Sequence, residues 1–94
     1  STDIAADVAY LAMDLLVCGR RGLSRTLVDE YVACSGDEGL RAVIGFYECY
    51  RALVRLLVES LTLVDPTVPA ARKLRGRRAA RLYLGLAADL ARAL

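Results

Sequence analysis

Residues 3–18 read DIAADVAYLAMDLLVC, a helix with almost no water-facing side. At 100° per residue, Asp3, Asp7, Tyr10 and Asp14 share an arc about 60° wide. Ile4, Val8, Leu11, Met13, Leu15, Leu16 and Val17 occupy the rest, with Ala5, Ala6, Ala9 and Ala12 between them. A helix that is apolar nearly all round is built for an interior. Its acidic line has three readings: a solvated edge, an anchor for the polar backbone of a neighbouring segment, or a cation site.

Composition extends the point to the whole chain. The 94 residues suit one domain, and 56% are hydrophobic before the seven glycines are counted. Ordinary domains reach about 45–50% with glycine included. So small a domain cannot bury that much apolar surface within itself, which predicts a patch left over for self-association or for another part of a larger protein. No charge-free run approaches the roughly 20 residues of a membrane span, so no membrane partner is expected. No basic n-region followed by an apolar h-region opens the sequence, so secretion is not expected. Three isolated cysteines, Cys18, Cys34 and Cys49, form no framework and point to reduced thiols packed as small apolar groups in a cytoplasmic protein.

Working outward from residues 3–18, the next breaks fall at glycines and prolines. Thr2 or Asp3 can cap the first helix, and Gly19 and Gly22 close it. A second helix, about 23–34, puts Leu23, Leu27, Val28, Tyr31 and Val32 on one face. Gly36 then suits a left-handed C-cap, and Asp37 can cap the next helix. That third helix runs over about 38–64, with a kink expected near Gly45. Along it Glu48, Arg51, Arg55 and Glu59 form a narrow polar line, read as an intrahelical ladder of ion pairs. Phe46, Tyr47 and Tyr50 read as core. Pro66 and Pro69 interrupt the pattern, and a fourth helix covers about 68–93. No strand pattern of useful length occurs. The expected architecture is all-α, four helices in one bundle-like subdomain spanning 1–94.

Absent residue types remove whole classes of chemistry. There is no His, Asn, Gln or Trp. Without His there is no imidazole base, no Ser-His-Asp triad, and no Glu-x-x-His di-iron bundle. No Gly-rich phosphate loop matches, and Lys73 is the one lysine. Charge is uneven: residues 1–65 sum to −4 and residues 66–94 to +6. Arg72, Lys73, Arg75, Arg77, Arg78 and Arg81 wrap much of the fourth helix and form no stripe, so nucleic-acid binding through 72–81 is the weaker reading.

The order of three segments carries a resemblance. They are DIAADVAYLAMDL (3–15), GRRGLSRTLVDEYVACSGD (19–37) and GFYECYRALVRLLVESL (45–61). Together they resemble the C-terminal helical part of aminoglycoside phosphotransferase-like small-molecule kinases. The likeness is to a bacterial group in which that domain precedes a P-loop ATP-binding domain. It covers residues 3–61, and each motif is weak alone. The resemblance implies a parent that uses ATP and Mg²⁺, with a His-x-Asp…Asn catalytic loop and a metal-binding Asp lying before residue 3. None of these can lie in a chain without His or Asn, so no cofactor site and no catalytic residue is expected here.

What the resemblance implies for this chain is modest. Asp7, with Asp3, would anchor the backbone of the catalytic loop as a structural residue. Asp29, Glu30, Asp37 and Glu38 are the candidate substrate-binding acids, with simple surface placement as their bland reading. The function expected is that of a helical C-lobe fragment of such a kinase, inactive alone and partnered by the remainder of the kinase-like domain. The alternative is a stand-alone helical module that dimerises through its apolar excess and binds nucleic acid through 72–81.

Overall fold

The computed structural model describes residues 2–94, with side chains from Ile4 onward. The roles expected of Thr2 and Asp3 side chains therefore fall outside the described residues. The chain forms α1 (Thr2–Val17), α2 (Arg21–Ser35), α3 (Leu40–Val64) and α4 (Ala70–Arg92), with no strand among the described residues. The expected all-α bundle of four helices is the observed fold.

Each connection arises from local chemistry. Gly19 takes φ 76° after α1. Its N–H donates to Leu16 and the Arg20 N–H to Leu15, the paired bonds of a Schellman end. Gly36 ends α2 at φ 70°, donating to the Val32 carbonyl, as its position after the periodic run required. Asp37 then accepts the Gly39 N–H at 2.9 Å and leads the chain into α3. Between α3 and α4, Asp65 accepts both the backbone N–H and the hydroxyl of Thr67. Those bonds hold its carboxyl below the usual carboxylate range, with Lys73 adding a weaker pull. Pro69 stands as N-cap of α4, where its missing N–H is no loss.

The packing runs up-down-up-down. Ala5, Ala9, Val32 and Ile44 form a buried cluster joining α1, α2 and the first half of α3, against which Val8, Val28, Tyr31, Leu40 and Tyr47 pack. Fully buried alanines on α1 let its backbone approach its neighbours closely. The buried Ser24 hydroxyl donates to the Ala12 carbonyl at 2.7 Å and ties α2 to α1. Removing it in Ser24→Ala should cost about 1 kcal/mol in urea unfolding, since the Ala12 oxygen keeps its helical partner. A loss beyond about 3 kcal/mol would mean the hydroxyl does more than fasten this crossing.

α3 and α4 make a long antiparallel pair. Contacts advance along them in opposite directions, Glu59 with Arg72 and Cys49 with Ala87. Gly76 is buried where the helices cross, and a Cβ there would lie 3.2 Å from the Glu59 carboxylate. The molecule is elongated, 49 × 22 × 22 Å, and exposes 6096 Å². A compact monomer of this mass exposes about 5,300 Å². Large apolar side chains are among the exposed residues, Ile4, Leu11, Phe46, Leu57, Leu61 and Val64 included.

Several expectations need correction. α3 is hydrogen-bonded as one uninterrupted helix through Gly45, starting at Leu40 instead of near 38. Phe46 and Tyr50 are exposed, so only Tyr47 of the aromatic trio joins the core. Of the cysteines, Cys49 alone is buried; Cys18 and Cys34 face solvent. Leu23 of α2 is also exposed, although its neighbour Ser24 is buried against α1.

The ladder on α3 is the main departure. Arg55 does bond Glu59 one turn on, at 3.2 Å, but Arg51, Arg55 and Glu59 also engage other helices, and Glu48 pairs with none of the described residues. Glu59 also accepts Arg72 of α4 at 3.1 Å. Arg51 lies over the Tyr10 ring of α1, 5.3 Å from its centroid, and Arg55 over Tyr83 of α4 at 5.7 Å. These four polar residues form the inner, interhelical face of α3 and not a solvated edge.

Candidate functional site

The acidic line of α1 divides. Tyr10 is half-buried beneath Arg51, while Asp7 and Asp14 stay exposed. Asp14 contributes to keeping the Arg55 guanidinium above its ordinary pKa, an effect owed first to Tyr83. Asp7 has no hydrogen-bond or ion-pair partner among the described residues. Its carboxylate stands on an open flank of α1, between the exposed side chains of Ile4 and Leu11.

The expected substrate acids do not act as one cluster. Arg41 bonds Asp29 at 2.7 Å and Glu38 at 2.8 Å, bridging α2 to the start of α3. That double pairing raises the arginine, through Glu38 first and Asp29 second. Asp37 is spent on its turn, and Glu30 is exposed on α2. Asp29 and Glu38 thus come together around one shared guanidinium, while Asp37 and Glu30 lie apart from them.

Asp29 and Glu38 do border something of interest. A groove of about 760 Å³ runs between the end of α1, α2, α3 and the last turns of α4. Leu16, Val28, Leu86, Leu90 and Leu94 give it apolar walls, and Arg21, Arg25, Arg41 and Asp89 give it a mixed rim. Glu48 lines it from α3, only 8% exposed and without a hydrogen-bond or ion-pair partner among the described residues. Burial without a compensating cation pushes its carboxyl up to about 7.

Spacing alone does not single out Glu48, because Arg51 three residues on looks like its partner. The one available signal is that Gly45, one turn before it, opens space on the same side of α3. A carboxyl that titrates near neutrality can take up or release a proton, and so can serve as an acid or a base. Among the described residues no group of three or more His, Cys, Asp or Glu side chains is placed to hold a metal ion. No helix among the described residues is long and apolar enough to cross a membrane.

Comparison with known proteins finds relatives for part of the chain. Uncharacterized proteins of Mycobacterium bovis and of two strains of Mycobacterium tuberculosis are each 43% identical to this chain over 53 residues. The shared segment is 56% of this chain but spans only 11% of each relative's length. No protein-family profile matches the chain, and no solved structure matches it. By its described elements the protein is an all-α, four-helix unit, similar over half its length to a small part of much longer mycobacterial chains.

Proposed function

We propose that this chain is the helical C-lobe part of an aminoglycoside phosphotransferase-like kinase. It supports the catalytic loop of the parent and forms the substrate side of its cleft. The reading rests on the order and spacing of the three segments within residues 3–61. Supporting it, Asp7 stands exposed and unpartnered on α1, as a carboxylate reserved for a missing backbone segment must. Supporting it too, the similar stretch in the mycobacterial proteins is a small part of far longer chains. On this reading ATP and Mg²⁺ are bound by the parent's other segments. The groove beside Glu48, with Asp29 and Glu38 on its rim, is assigned to the substrate side.

The test uses the 94-residue chain beside its complete reading frame. The chain alone should transfer no phosphate from ATP above buffer controls, because positioning and metal-assisted charge stabilisation are supplied elsewhere. Asp7→Ala should change the stability of the 94-residue chain by less than about 0.5 kcal/mol, as for an exposed surface site. In the complete protein the same change should lower kcat by about a hundredfold, through a misplaced loop. Phosphate transfer by the 94-residue chain, or an unaltered kcat in the complete Asp7→Ala protein, would overturn the reading.

A further inference from the structure

Between residues 46 and 64, every exposed side chain of α3 is apolar or aromatic, while its four charged residues point inward. Phe46, Tyr50, Leu53, Leu57, Leu61 and Val64 recur at spacings of four, three, four, four and three. They share an arc of about 80° and run for about 27 Å along the helix. Each is between 51% and 77% exposed. Such a face has no reason to be apolar unless something covers it.

We propose that this face seats a second copy of the same chain, α3 against α3, antiparallel about a twofold axis level with residues 53 and 57. The proposal is independent of the kinase reading, which concerns α1 and the groove. Three features choose this occupant. The first is that the stripe is nearly symmetric about its own midpoint. Antiparallel pairing sets Phe46 against Val64 of the other copy, Tyr50 against Leu61, and Leu53 against Leu57. Each aromatic side chain thereby meets an aliphatic one, and leucine meets leucine at the centre, a self-complementary arrangement that suits an isologous contact. Parallel pairing would oppose Phe46 to Phe46 at one end and Val64 to Val64 at the other.

The second feature is charge. The stripe carries none, so two copies meet without like-charge repulsion, whereas a charged partner finds no counter-charge on it and only the Tyr50 hydroxyl to bond. The third is area. The six side chains expose on the order of 600 Å² per copy, so a pair buries about 1,200 Å², the lower bound of stable interfaces.

Sedimentation equilibrium of the 94-residue chain should give twice the monomer mass at about 50 µM. Leu53→Glu and Leu57→Lys each place a charge at the centre of the contact and should weaken the dimer about a hundredfold or more. Both positions are exposed, so far-UV circular dichroism should show the helices intact. An equimolar mixture of the two variants should regain the dimer mass, because the new carboxylate at position 53 then faces the new ammonium at position 57 of the other copy. A wild-type chain that stays monomeric at several hundred micromolar would overturn the proposal and give the face to another protein segment. So would variants that remain dimeric, or a mixture that stays monomeric.

Discussion

Replacing Glu59 with alanine should destabilise the chain by about 2–3 kcal/mol, a fall of roughly 10–20 °C in melting temperature for a chain of this size. Glu59 has a side chain only 6% exposed, and it accepts from Arg55 on its own helix and from Arg72 on α4. Losing one member of a fully buried pair costs about 3–5 kcal/mol, chiefly because the orphaned charge stays in the interior. Here the two arginines are 32% and 37% exposed, so both can turn partly to water and the cost is smaller. Gly76 sharpens the effect. It is buried within van der Waals reach of the same carboxylate, so the α3–α4 crossing is shaped around Glu59.

Arg72→Ala should cost less than half as much, because Arg55 still satisfies the carboxylate. The two substitutions together should cost less than their sum. Urea unfolding of the three variants measures this. A Glu59→Ala loss under about 0.5 kcal/mol would show that the ion pairs do not hold the two helices together.

Glu48→Gln should do the reverse and make the chain more stable at pH 8. The carboxyl titrates at about 7 when folded, against 4.5 as the ordinary value, because burial disfavours its charge. Below pH 4.5 both folded and unfolded chains keep the proton, and the group contributes nothing. Between 4.5 and 7 the unfolded chain releases its proton while the folded chain holds it, so stability falls as pH rises. Above 7 the whole penalty is present, about 3 kcal/mol. The glutamine variant lacks this slope. Its advantage over the wild type should grow by that amount from pH 4.5 to pH 8, which removes from the comparison any fixed cost of burying the amide. The lowered carboxyl of Asp65 acts in more acidic solution and does not obscure the window. Parallel stability profiles for the two proteins across that range would show that Glu48 is not an uncompensated buried acid.

These two glutamates show what the sequence disclosed and what it withheld. Helix number, the glycine ends at Gly19 and Gly36, and the proline start of α4 were legible, because each depends on neighbours within a few residues. The excess of apolar surface was legible from composition alone. The direction in which α3 faces was not. Glu48, Arg51, Arg55 and Glu59 are one stripe by spacing, and Phe46 to Val64 are another, and helical period cannot say which is inside. Packing decided it. Arg72, Tyr10 and Tyr83 arrive from other helices to engage Glu59, Arg51 and Arg55, while Glu48 alone receives no such partner. At the candidate site the acids were picked out as a cluster around the second loop; the Arg41–Glu38 pair, three residues apart, was within local reach, but the bond from Arg41 to Asp29, twelve residues back, was not.

The same limit applies to Asp7. Its carboxylate stands exposed on α1, and its proposed partner belongs to a segment that this chain does not carry. The central claim is that the four helices serve a kinase whose catalytic parts lie elsewhere. Reading the gene upstream of the Ser1 codon tests it most directly. The expected result is a His-x-Asp segment with a downstream Asn and a metal-binding Asp some tens of codons before Ser1. An initiator codon immediately before Ser1, or an open frame without that segment, would contradict it.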